Sequence, residues 1–287
     1  MAQGYYFYDN GHFEPSVVFD LSGNLGIMNQ VSDIGGSKTS KSKIGAYNFR
    51  NSHFTGGITL SATYRDVIAI RLDLGIGRIE AHDSLLKGAT HFSSIGRYER
   101  NLNYRSSIFD GMVGIEFHPI YLKNYQDLGL YTPRLSPYIT AGIGFVNFKP
   151  QGFIDEKWVD LQPLRLEGQG FEEYPDRQQY RTTAITYPLG IGLKYDFSST
   201  FIFRLEFIHK FTSTDYLDDV SMGNWVDPSL FQKYLQPAQA VLASRMYNRS
   251  ILVNPPRNTR PRGDDSRNDL FWQIQFRAGI ALNRNRR

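Results

Sequence analysis

The chain of 287 residues contains no cysteine, which excludes disulfides and thiolate-bound metals. No apolar run approaches the roughly 20 residues a membrane helix requires. That excludes a helical membrane protein but leaves a β-barrel open, because barrel strands are short and only half apolar. The six histidines, His12, His53, His82, His91, His118 and His209, show no HExxH or other close metal spacing. No cofactor or metal is expected. The net charge of +4 is spread along the chain, apart from basic clusters at 257–267 and 284–287. A nucleic-acid binder concentrates its charge in one stripe, so no nucleic-acid partner is expected. Met1, Ala2 and Gln3 lead directly into a Tyr-rich polar stretch with no export signal. For an exported barrel the expectation is a mature form in which an initiator Met stands where the signal was.

What is abundant is aromatic residues at 14%, and glycine at 26. They are arranged with period 2. In the segment 67–80, Ile68, Ile70, Leu72, Leu74 and Ile76 share one face, and Ala69, Arg71, Asp73, Gly75 and Gly77 the other. This is a strand with one apolar side. The same split recurs at 16–28, 52–64, 102–118, 137–148, 181–197, 200–214 and 268–282, giving eight predicted strands. Arg65-Asp66 and Ser198-Ser199 are tight turns, while other connections are long, above all 215–267. An even number of antiparallel strands with short turns at one end and long loops at the other predicts an all-β, eight-stranded antiparallel transmembrane barrel in the bacterial outer membrane, OmpA-like, as a single domain over 1–287. Its partners would include outer-membrane lipids. A soluble lipocalin-like barrel has the same alternation with the apolar side inward. Unbroken Phe, Leu, Ile and Val faces, aromatics near strand ends (Tyr64, Tyr187, Tyr195, Phe211, Trp272) and unequal loops favour the membrane form.

Eight strands enclose a lumen wide enough only for side chains. The inward set includes Asp20, Arg71, Asp73, Glu116, Lys194, Asp196, Arg204, Glu206, Lys210 and Arg277. Buried charges persist only when paired, so these residues predict a plugged lumen with inward glycines making room for the long cations. His91 and Ser93, in a predicted loop, carry a faint lipid-modifying alternative. Asp215, Asp218 and Asp219 are expected in a turn after the seventh strand. Asp227-Pro228 predicts a helix start leading into 229–235, and 238–247 a second helix, with Leu230, Phe231, Leu235, Val241, Leu242 and Met246 as their apolar side. Residues 249–267 are expected as an extended basic arm.

The string TSTDYLDDVS at 212–221, including Asp215, Tyr216, Leu217, Asp218 and Asp219, resembles the TDYLDDVS signature of a family of outer-membrane barrels from Bacteroidetes, which includes PorG of the type IX secretion system. The segments LQPLRLEGQG (161–170), YPLGIGLKY (187–195) and the stretch from NWVDP (224–228) to ASR (243–245) fit the same family. The resemblance implies a non-enzymatic barrel that anchors a periplasmic ring of PorK and PorN type in the secretion machinery. A general OmpA-like role in surface-loop binding or envelope stability is the alternative.

Overall fold

The computed structural model describes residues 15–36, 51–122, 133–222, 224–252 and 262–284. The expected lead-in and parts of the 29–51 loop, the 119–136 connection and the 249–267 arm lie outside them. The strands are β1 (Val17–Val31), β2 (His53–Tyr64), β3 (Ile68–His82), β4 (Asn103–Phe117), β5 (Leu135–Ile154), β6 (Lys157–Asp160), β7 (Thr183–Asp196), β8 (Phe201–Thr212) and β9 (Leu270–Ala281). Eight of them, all but β6, form one antiparallel ring that closes where β9 pairs with β1. Closure leaves no sheet edge, so each wall strand has its backbone partners on both sides.

The orientation of the alternation is decided by exposure. Ile70 is 61% exposed and Ile76 64%, whereas Arg71 between them is 1% exposed. The apolar faces therefore point out and the polar faces in, the reverse of a lipocalin. Leu25, Phe54, Ile115, Ile143, Leu189 and Ile191 continue the apolar belt around the wall. In water such a belt is untenable; in hydrocarbon it is the stable surface.

At one end the connections are tight. Arg65 and Asp66 both take positive φ (47° and 57°), and the Val67 N–H closes the turn on the Tyr64 carbonyl at 3.0 Å. This is the primed geometry that matches strand twist. At the other end the strands outrun their predicted limits. The alternation predicts that β5 stops at 148, before Pro150, a residue disfavoured inside strands. It continues to Ile154 and folds back as β6 through Asp155 and Glu156, again at positive φ. The Pro150 carbonyl still accepts from Leu161 N–H at 3.0 Å.

The long connections are not open loops. The segment expected as a loop at 81–98 contains a 3-10 turn and the helix α1 (Phe92–Arg100). The last connection carries α2 (Leu230–Tyr234) and α3 (Pro237–Tyr247). Pro237 ends α2 and opens α3, where its missing N–H costs nothing. The apolar side is as expected at Phe231 and Met246, both buried, but Val241 is 61% exposed, and Ala240, Ala243 and Tyr247 are buried in its place. Together the long connections form a folded cap whose core, including Leu166, Phe171, Leu217, Val226, Phe231 and Tyr247, runs on into the barrel mouth through Met28, Ile79, Tyr104, Phe148 and Phe271. Trp272, expected on the lipid face, is fully buried and in ring contact with Phe207 at 6.0 Å.

The belt yields a direct test. Leu72 lies mid-belt, outward and 47% exposed. Leu72→Arg is expected to destabilise the barrel in lipid by about 2–4 kcal/mol, read by urea unfolding in vesicles. A water-soluble barrel would tolerate the change at this exposed position.

Candidate functional site: a plugged lumen beneath a folded cap

All ten predicted lumen charges are buried, Asp73 being the most exposed of them at 8%. Their register explains why they must meet. Lys194, Arg204 and Arg277 lie directly opposite one another across β7, β8 and β9. Three like charges in one row repel, and carboxylates from the other walls answer them. Asp20 on β1 takes Arg204 in a two-pronged pair at 3.0 and 2.9 Å. Glu116 on β4 accepts from Arg277 at 2.9 Å and from Arg71 at 2.9 Å. Glu206 accepts from Arg71 at 2.7 Å and Arg277 at 2.5 Å. Arg71 also donates to Asp73 at 2.8 Å. Tyr138 donates its hydroxyl to Glu206, Ser61 accepts from Arg277 at 3.2 Å, and His118 lies 3.4 Å from Glu116. The result is a bolt of side chains from seven strands across the centre of the barrel.

Two smaller clusters lie on either side. Towards the cap, Lys210 pairs with Asp110. Towards the tight turns, Lys194 and Arg284 share Asp66 and Asp196 at 3.1–3.4 Å. Sequence reading missed Asp66, which lies in a turn, and Arg284, which lies beyond the last strand and counted only as part of a basic tail. The alternation places Asp110 inward without marking it as an ion-pair partner. The inward glycines open space, but for neighbours other than the cations: a Cβ at Gly114 would meet Met112 Cε at 2.6 Å and one at Gly192 the Tyr138 ring, while Arg71 Cγ stays at an ordinary 3.5 Å from the Gly114 position. At Gly75 the space is taken by an anion instead, with Asp110 Oδ1 2.7 Å from the Cβ position.

The signature string turns after the seventh wall strand as expected, with the Asp219 N–H on the Tyr216 carbonyl at 3.2 Å, and the turn is buried in the cap. Leu217 is fully buried, and its N–H donates to Asp269 at 3.1 Å. Tyr216 stacks on Tyr180 at 4.5 Å. Asp218 accepts the N–H groups of Ile34 and Val220 at 3.0 and 2.9 Å, tying the first connection to the last. Asp219, at φ +65°, accepts the Tyr180 hydroxyl at 2.6 Å. Asp215 is also buried. Nearby, Arg100 grips Asp83 at 2.9 and 3.1 Å, and Glu167 accepts from Ser221 and Met222 at 3.1 and 3.0 Å, with Arg262 3.8 Å away. Arg262, expected in an extended arm, is therefore a buried member of the cap. Burial is the main cause that raises the Glu167 carboxyl above its ordinary range. Burial, then the Asp33 charge, raises Asp218. Burial, against the opposing pull of Tyr180 and Arg262, lifts Asp219 to about 8.

His91 and Ser93 have a local task. His91 caps α1: its Nδ1 accepts from the Ser93 N–H at 3.3 Å and lies 2.9 Å from the Ser93 hydroxyl. The residues sit on a helix start, not in a loop. Among the described residues no group of three or more His, Asp or Glu side chains could hold a metal ion.

Two outcomes are expected. Arg277→Ala leaves Glu116 and Glu206 under-compensated in the lumen, which should cost about 3–5 kcal/mol, measured by urea unfolding in vesicles. Lys233→Ala removes an exposed pair with Glu173 and should leave the unfolding midpoint essentially unchanged. The cap should also depend on pH. Asp218 and Asp219 retain protons in the folded cap but ionise in the usual carboxylate range once unfolded. Between that range and about pH 8 the folded state binds more protons. The contribution of these two carboxyls to cap stability is therefore full below the ordinary carboxylate range, falls as pH rises through it, and levels off above about 8. Hydrogen exchange of the 213–222 segment reads this directly, and Asp219→Asn, which tolerates positive φ, should flatten the slope.

No protein-family profile matches the chain, and no curated protein matches it. Solved structures do. Neisserial surface protein A is 8% identical, with a TM-score of 0.40 over 92% of this chain and 97% of that one. A major outer membrane protein from Thermus thermophilus is 10% identical, with a TM-score of 0.40 over 93% and 100%. Ail of Yersinia pestis is 11% identical, with a TM-score of 0.35 over 94% and 100%. The fold rests on the chain's own strand ladders, a closed eight-stranded antiparallel barrel.

Proposed function

We propose that the chain is a non-enzymatic outer-membrane barrel that does not conduct and that works through the surfaces at its two ends. The observation that carries this reading is the central bolt, where Arg71, Arg204 and Arg277 meet Asp20, Asp73, Glu116 and Glu206. Conduction through it would mean separating buried ion pairs. The wall is spent on holding the barrel in lipid, so binding falls to the folded cap and to the tight-turn end. In planar bilayers the purified protein is expected to give no large, steady open channel. A persistent channel of porin size would overturn the reading.

A narrower version follows from the signature at 212–221: a PorG-like anchor for a periplasmic ring of PorK and PorN type. The buried geometry of Leu217, Asp218 and Asp219 supports a role for that string in folding the cap, not in touching a ring. With the long connections outside the cell, ring contacts would come from the tight turns, the 119–136 connection or the termini. Purification in detergent separates the two versions. Co-purification of ring subunits, lost on exchanging the 119–136 connection and kept on changing cap residues, supports the anchor. Isolation of the barrel without them supports the general binding role.

A further inference from the structure

Just beyond the apolar belt, one flank of the wall changes character. On β3, β4 and β5 the outward row Ile76–Phe109–Asn147 is followed by Arg78–Ser107–Lys149. The Phe148 N–H bonds to the Thr182 carbonyl at 2.9 Å, which carries the same register on to Arg181. Arg78, Ser107, Lys149 and Arg181 are all exposed. One row higher Arg105 donates to Gln151 at 2.9 Å and lies 4.2 Å over the Trp158 ring, itself 5.1 Å from Phe153. Thus three cations flank one small residue, with a fourth and an aromatic pair directly above. On the other side of the wall, the hydrogen-bonded row through Phe54 continues as Ile27, Ile274, Phe207 and Ile191, with no Lys or Arg among them.

The nearby carboxylates neutralise the flank only in part. Asp160 pairs with Lys149 at 2.9 Å, both exposed. Glu80 is engaged by His82 at 2.7 Å and by His53 at 3.6 Å. Arg78 and Arg181 have no ion pair among the described residues, and Arg78 adds repulsion to Arg105.

The height is informative. Ten residues separate Ile68, at the tight-turn edge of the belt, from Arg78. At about 3.3 Å per residue and a tilt of about 40°, that is roughly 25 Å along the membrane normal. This equals the height of the apolar band, so Arg78 lies where lipid headgroups begin. The Trp158–Phe153 pair just above fits the interfacial aromatic girdle.

The geometry points to a binding site on this flank for the phosphate of an outer-leaflet glycolipid, held by Arg78, Lys149 and Arg181 with Arg105 above. Guanidinium groups suit phosphate because they donate two parallel hydrogen bonds. The acyl chains would lie on Ile76, Phe109 and the belt below. The inference rests on the membrane reading, and insertion into liposomes tests that reading separately.

The test is native mass spectrometry of the full chain in neutral detergent with phosphorylated lipid A, dephosphorylated lipid A, or inorganic phosphate. Phosphorylated lipid A should be retained about tenfold more than the dephosphorylated form. The combined variant Arg78→Gln, Lys149→Gln, Arg181→Gln should abolish that preference. Heat-modifiable mobility on gels reports whether the variant folds; Arg78→Gln alone, at an exposed unpaired position, gives a milder second reading of the same loss. Equal retention of both lipids, or an unchanged preference in folded variants, would overturn the inference. Displacement of the lipid by millimolar inorganic phosphate would overturn the glycolipid assignment. A chain that inserts into liposomes yet shows no phosphate preference refutes this site alone; one that does not insert refutes the membrane reading itself.

Discussion

The structure depends on one constraint: eight strands leave a lumen too narrow for water to solvate a charge fully, yet the walls project charges into it. Lys194, Arg204 and Arg277 stand in one row on adjacent strands. Such a row is unfavourable by itself and becomes tolerable only when the opposite walls deliver carboxylates to it. Asp20, Asp73 and Glu116 come from β1, β3 and β4, and Glu206 rises from within the basic wall. Glu116 and Glu206 each touch cations from two different strands. The bolt therefore acts as a register lock: slipping one strand by a residue would turn its charge to lipid and leave its partners bare. Ion pairs of this kind add little to stability relative to well-packed apolar groups. Their effect is on which closed barrel forms.

The same logic, in a different medium, builds the cap. There the buried apolar core is conventional, with Phe231 in ring contact with both Phe171 and Tyr247. What joins one connection to the next is a set of carboxylates that accept backbone N–H groups across long sequence distances. Asp218 reaches Ile34, Glu167 reaches Ser221 and Met222, and Asp269 reaches Leu217. Arg100 binds the Asp83 carboxylate and the carbonyls of Asp33 and Arg262. A guanidinium in such a place gathers three connections at once. The cap continues the barrel without a hinge, because β5 runs into the β5–β6 hairpin and Thr212 hydrogen-bonds with Asp269 at 2.8 Å.

Period-2 alternation made the wall legible in the sequence, since each wall strand carries its own signal. The ten lumen charges were legible for the same reason: parity alone sends Arg71 and Glu116 inward. Parity fails where strands end. Asp66 sits in a turn and Arg284 past the last rung, so neither carried an alternation signal, although both complete the lower cluster. The cap was legible only in fragments. Asp227-Pro228 marked a helix start, but the pairing of Asp218 with Ile34 spans 184 positions and no local pattern encodes it. Val241 looked like core by helical spacing, whereas the helix buries the face with Ala240, Ala243 and Tyr247 instead. Trp272 has lipid-facing parity yet is enclosed beside Phe207, so parity gives direction without giving what covers a side chain.

These arrangements divide the molecule by medium. A closed lumen cannot carry material, and the bolt makes it a poor conductor of movement as well, because shifting one charge strands several others. Events at the cap are therefore mechanically separate from events at the tight turns. An anchoring role would then need only a rigid foot at the tight-turn end. Lys194 and Arg284 supply one by tying the β2–β3 turn, the end of β7 and the segment after β9 through Asp66 and Asp196. Salt bridges among chain ends and turns hold that rim in one geometry. A partner docking there would meet a preformed surface and lose little conformational entropy in doing so. The cap lies at the far end of the barrel from that foot, with the central bolt between them, and so remains free to differ in what it recognises.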